Sequence, residues 1–145
     1  CIRDRFPKKN APEYLHYGTL EEVLSKSDIV TLHCPLTEDS RNLINQDRIA
    51  QMKKGAILIN AARGPIVDSK ALADALNSGY LRGAGVDVFE MEPPLPMDHP
   101  LLHSINTIVT PHIAFASDES MEIRAKIVFE NIQKWMNKEQ VNTIL

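Results

Sequence analysis

At 145 residues the chain is long enough for one domain with a sizeable core. A hydrophobic share of 43% and a charged share of 24% are those of an ordinary globular protein, and a net charge of -3 with no basic stripe speaks against a nucleic-acid partner. No apolar run approaches the ~20 residues that cross a bilayer, and Cys1 and Cys34 form neither a metal-binding spacing nor a disulfide framework, which fits a reducing cytoplasm.

The chain opens on Cys1-Ile2-Arg3-Asp4, which reads as the end of a strand and hence as part of a longer protein. A basic, proline-interrupted loop follows, with Arg5, Pro7, Lys8, Lys9 and Pro12. Thr19 and Glu22 stand at capping-box spacing, so a short helix runs through Leu20, Val23 and Leu24. The β-branched run Ile29 to His33 is a buried strand, ended by Cys34-Pro35 because proline has no N–H for a ladder. Asn45 or Gln46 starts a helix carrying Ile49 and Met52, with Lys53 and Lys54 suited to its carboxyl-terminal dipole and Gly55 to its cap.

Ala56-Ile57-Leu58-Ile59 is the next strand and ends in Asn60. Asp68 caps a helix through Ala71, Leu72, Ala75 and Leu76 that stops at Gly79. Gly83 to Val88 is a third strand, and an irregular stretch with Glu90, Glu92 and four prolines separates it from a fourth, Thr107 to Thr110. Ser117 opens a long helix in which Met121, Ala125, Val128, Ile132 and Trp135 recur at helical spacing, a pattern of packing. Strands alternating with helices make parallel βα units. The expected fold is α/β, a partial Rossmann-like doubly wound parallel sheet.

In such sheets ligands bind outside the carboxyl ends of the strands. Those ends carry Cys34-Pro35, Ala61-Ala62-Arg63, Asp87 and Pro111-His112. Two readings of Arg63 stand: a surface ion pair, or a planar fork offered to a carboxylate. Ala61, Ala62 and Gly64 beside it admit a close approach to the backbone. His112 is the acid/base candidate, since a free imidazole exchanges its proton near ~6.5. Glu92 is the carboxylate placed to hold that ring and favour its charged form, with Glu90 as competitor. Asp87 ends an apolar strand, where a carboxylate needs a partner, and capping of a loop amide is the equal alternative. Asp68 is read as a cap, His33 as structural, and His16, His99 and His103 show no partner signal. Cys34, with no basic neighbour, is a wall residue.

Four blocks resemble, in order and spacing, the NAD-dependent D-isomer-specific 2-hydroxyacid dehydrogenases: His33-Cys34-Pro35-Leu36-Thr37, Asn60-Ala61-Ala62-Arg63-Gly64, Gly85 to Phe89 with Glu92-Pro93, and Thr110-Pro111-His112-Ile113-Ala114. The resemblance implies roles. Arg63 would grip the substrate carboxylate and polarise the keto oxygen. His112 would be the acid/base and Glu92 its partner. Asp87 would receive the nicotinamide carboxamide. Cys34 and Pro35 would line the adenosine side, Ala61 and Ala62 the nicotinamide half, with Arg63, His112 and Ala114 also on the cofactor. Asp4 resembles the residue that takes the ribose hydroxyls, which favours NAD over NADP, while Arg3 and Arg5 beside it suit a ribose phosphate. Substrates would be small 2-hydroxy or 2-keto acids, and the full-length protein a homodimer.

The family's G-x-G-x-x-G phosphate loop does not occur in this sequence. Residues 1–145 are therefore expected to be an NAD-binding domain without its first, central strand, together with the carboxyl-terminal helix and tail. The substrate domain is expected to be absent. On this reading the isolated piece turns over no keto acid and binds NAD weakly, and its sheet needs a replacement for the central strand or a new pairing. The alternatives are an NAD-sensing, corepressor-like protein of the same fold, or an inactive remnant.

Overall fold

Four short aliphatic runs become four parallel strands: β1 (Ile29–Leu32), β2 (Ile57–Asn60), β3 (Gly83–Val86) and β4 (Thr107–Val109), side by side in the order β1-β2-β3-β4. This computed structural model describes residues 1–91 and 94–143. Residues 1–112 and 113–145 are two units.

In the first unit the helices are α1 (Leu20–Lys26), α2 (Gln46–Gln51) and α3 (Ser69–Asn77). Each begins where a side chain satisfies a free backbone N–H. Thr19 and Glu22 form the reciprocal box of α1, Asn45 accepts from Arg48 N, and Asp68 accepts from Ala71 N. Strand side chains alternate between faces. Val30, Leu32, Leu58, Ala84 and Val86 join Leu24, Ile49, Leu72 and Leu76 of the helices in one buried cluster. Each large side chain fully buried there contributes about 1.5–3 kcal/mol. The other row, Thr31–Ile59–Gly85–Ile108 in register, leaves Ile108 73% exposed.

Several boundaries differ from expectation for local reasons. β3 stops at Val86 because its partner β4 ends at Val109, so Asp87 and Val88 already belong to the rim. Helix α2 ends at Gln51. Gly55, at φ 82°, makes the turn after it and donates to Tyr80 O, while Lys53 pairs with Asp28 instead of facing the helix end. The amino-terminal stretch forms an isolated parallel bridge, Ile2 to Tyr17, outside the four-stranded sheet. No new pairing joins the two among the described residues.

The second unit holds α4 (Asp118–Met136), started by a Ser117/Ser120 box. Arg124 lies over the Phe115 ring at 5.2 Å. The expectation that its apolar stripe is packed is not met: no residue of α4 is buried, and Val128 and Trp135 are 48% and 65% exposed. Among the described residues no helix is long and apolar enough to cross a membrane.

Candidate functional site

The turn after β2 is held from three sides. Asn60, 2% exposed, accepts from Ala62 N at 3.1 Å and donates to Arg63 O at 3.0 Å. The segment before α2 reaches across it, with Asn42 N donating to Pro65 O and Ile44 N to Ile66 O. On the third side Gly64 lies so close to the next rim loop that a Cβ there would meet Phe89 O at 1.8 Å and Glu90 N at 2.5 Å. What approaches the small residues of this turn at Gly64 is thus the protein's own backbone.

Arg63 leaves this turn exposed. Its Nη1 donates to Ala62 O at 2.6 Å, and it has no ion pair among the described residues. Asp87, 5% exposed, follows β3; its N–H donates to Asn60 O, and its Oδ1 accepts from the Thr110 hydroxyl at 2.5 Å. A hydroxyl from the neighbouring rim is one partner of this carboxylate. The register pairing Val86 with Val109 could have revealed it, because it sets Asp87 beside Thr110. His112 sits past β4 at φ 57°, the left-handed region that histidine enters more readily than most residues.

Arg63, Asp87, Glu90 and His112 line one cavity of about 550 Å³, with Pro65, Val88, Phe89, Met91, Leu102 and Val109 among its apolar walls. Of the four expected strand ends, three meet here through Arg63, Asp87 and His112, joined by Glu90 of the loop after β3, while Cys34 and Pro35 lie outside the lining. A cation, an imidazole and a carboxylate beside a largely apolar wall suit a flat ring with an amide and a small carboxylate-bearing partner. The donor set fits the nicotinamide half of a dinucleotide. The diphosphate half has no G-x-G-x-x-G loop in this sequence.

The other expected site residues are placed as follows. Cys34 is half-buried against the core. Pro35, Ala61 and Ala62 stand at the same strand ends, outside the cavity lining. Asp4 is exposed and accepts from Phe6 N at 3.0 Å. Ala114 belongs to the second unit, and Glu92 lies outside the described residues. Asp68 caps α3 as expected, and His33 makes a local bond to the Thr31 hydroxyl. Two histidines whose sequence surroundings give no partner signal have partners: His103 Nε2 meets Met97 O at 2.6 Å, and His99, 8% exposed, meets Glu90 Oε2 at 3.3 Å. No periodic pattern in the proline-rich stretch signals either contact.

Residues 2–114 match the model of the D-isomer specific 2-hydroxyacid dehydrogenase, NAD binding domain. The chain is 47% identical over 131 residues to the glyoxylate reductase of Thermofilum pendens, covering 90% of this chain and 38% of that protein. Among solved structures it is similar to a D-lactate dehydrogenase with NAD+ from Lactobacillus jensenii, with TM-score 0.87 and 32% identity over 99% of this chain and 47% of that one. It is also similar to an acyclic imino acid reductase in complex with NADPH and D-Arg, with TM-score 0.82 and 31% identity over 94% and 43%. The chain thus spans about two fifths of the length of the curated relatives it matches. With a matched domain over most of its residues, the chain belongs to the D-isomer specific 2-hydroxyacid dehydrogenases.

Proposed function

We propose that the protein carrying this chain is an NAD-dependent oxidoreductase acting between small 2-hydroxy acids and 2-keto acids, and that these residues supply its nicotinamide and acid/base side. The observation that carries this reading is the single cavity shared by Arg63, Asp87 and His112. Reduction of a keto acid builds negative charge on the keto oxygen. A guanidinium and a proton donor aimed at that atom stabilise the charge as it forms. Arg63 binds the substrate carboxylate and polarises the oxygen. His112 gives the proton in reduction and takes it in oxidation, and Glu92 holds its ring. Asp87 receives the carboxamide of the nicotinamide, which supplies the hydride when bound.

Cys34 and Pro35 line the adenosine side, and Ala61, Ala62 and Ala114 the nicotinamide side. Asp4 takes the ribose hydroxyls, which favours NAD over NADP. The whole protein is a cytoplasmic homodimer whose substrate domain and phosphate loop lie outside these 145 residues. The chain alone is therefore expected to bind NAD weakly and to be inactive.

The test is NADH oxidation by the protein carrying this chain over a panel of 2-keto acids. Arg63→Lys keeps the charge and loses the fork, so kcat/KM is expected to fall by about 10²-fold. An unchanged kcat/KM refutes the role of Arg63. NADH binding without turnover of any keto acid favours the sensor reading instead.

A further inference from the structure

His99 is nearly buried, yet nothing in the proposed chemistry uses it. Among the described residues its ring makes two hydrogen-bond contacts and one ring contact. Leu101 N donates to Nδ1 at 3.3 Å, Nε2 faces Glu90 Oε2 at 3.3 Å, and the ring meets Phe89 edge-on with centroids 5.2 Å apart. The first contact decides the second. A backbone N–H can donate to Nδ1 only if that nitrogen carries a lone pair, and a neutral imidazole then has its one proton on Nε2. That proton points at the Glu90 carboxylate. A proton on Nδ1 would set two donors against each other at Leu101.

We propose that His99 is a positioning residue of the site: a neutral imidazole, protonated at Nε2, that holds the Glu90 carboxylate and so fixes the Phe89–Met91 wall of the cavity. The proposal rests on the role given above to the cavity shared by Arg63 and His112. Phe89, Glu90 and Met91 all line that cavity. The same segment is backed by Gly64, so it is gripped from two sides: by backbone contact at Gly64 and by a directed hydrogen bond at His99. Glu90 is 37% exposed at its side chain, and without His99 its carboxylate turns to solvent. The wall beside the reacting groups then loses its directional hold. Arg63 keeps its own supports through Asn60 and the Asn42 and Ile44 crossing, so substrate binding suffers less than turnover.

Two measurements test this in the protein carrying the chain. The first is long-range 1H–15N correlation of the histidine side chains with the unaltered protein. The expected pattern for His99 is one neutral tautomer with its proton on Nε2. A ring protonated on Nδ1, or on both nitrogens at neutral pH, overturns the proposal. The second compares His99→Phe, which keeps an apolar ring but loses both bonds, with His99→Gln, whose amide can donate to Glu90 and accept from Leu101 N. For His99→Phe, kcat is expected to fall about tenfold or more while KM for the keto acid stays within about twofold, and His99→Gln is expected to recover most of kcat. A His99→Phe enzyme with unchanged kcat overturns it, and so does a Gln variant that loses as much as Phe. If the unaltered protein reduces no keto acid, the proposed function fails, and the tautomer pattern still decides whether His99 holds Glu90.

Discussion

Gly64→Ala is the sharpest perturbation of this molecule, because its effect comes from space alone. The φ of Gly64 lies outside the left-handed region, so alanine is free to adopt its backbone. The added Cβ would sit 1.8 Å from Phe89 O. An ordinary carbon–oxygen approach is about 3.3 Å, so the two backbones must part by about 1.5 Å. Neither is free to move. The Gly64 turn is tied by Asn42 to Pro65 O at 2.8 Å and Ile44 to Ile66 O at 3.0 Å, and the facing loop by Asp87 N to Asn60 O at 2.9 Å. A displacement of that size takes such bonds past the range in which they hold. Losing two of them at about 0.5–1.5 kcal/mol each, with overpacking strain of about 1–3 kcal/mol, gives a destabilisation of roughly 2–6 kcal/mol. That is a melting shift of roughly 8–25 °C for a unit of this size.

Turnover should suffer as well, by about 10²-fold, since the displacement lies between Arg63 and the Phe89–Met91 wall. Gly55→Ala is the control. Nothing lies within 4 Å of its Cβ position, but its φ is 82°, so its cost is conformational, about 1–2 kcal/mol, with no effect on turnover. Thermal and denaturant melts with steady-state kinetics read both variants. A Gly64→Ala protein that melts with the parent and keeps its kcat would refute the reasoning.

Asn60→Ala removes the amide that serves Ala62 N and Arg63 O, leaving two backbone groups of a tight turn without partners; a loss of about 2–4 kcal/mol is expected by chemical denaturation, and a loss under about 0.5 kcal/mol would show that water replaces the amide freely. The Glu22 carboxylate is held below the usual glutamate range, first by the Thr19 backbone N–H and then by Lys26. Because its folded pKa is the lower one, its support of α1 is complete above the ordinary glutamate value and fades as pH falls through the lowered one. Carbon-detected NMR titration should therefore place its midpoint below that of a glutamate in a short peptide, and an equal midpoint would remove the capping box as its cause.

What was legible in the sequence was what is local. The Thr19/Glu22 box, Asp68 before α3 and Asn45 before α2 announce helix starts within four residues, because the bonds they make span that distance. Ile29 to Leu32 and Ile57 to Asn60 announce strands by composition. The approach of Gly64 to Phe89 and the His99–Glu90 pair were hidden, since each joins segments with no shared period and no turn signal between them. The α4 stripe was legible as a helix face but not as an exposed one, because spacing reports which residues share a face and not what covers it.

The convergence of Arg63, Asp87, Glu90 and His112 follows from strand direction more than from any one of these side chains. Leu32 pairs with Asn60, Asn60 with Val86, and Val86 with Val109, so the four strands end at one level. The residues just past that level fall at one edge whatever their identity. Reversing one strand would carry its loop to the far end of the sheet, about 13 Å away for a four-residue strand. A one-residue slip would turn Asp87 from the rim into the row that packs on the helices, where its carboxylate would lose the Thr110 hydroxyl. The apolar pairing of Leu58 with Ala84, and of Val30 with Leu58, resists that slip, because each pair sits in the helix-covered layer. The burial that stabilises the sheet therefore also sets the alignment of the charged groups on its rim.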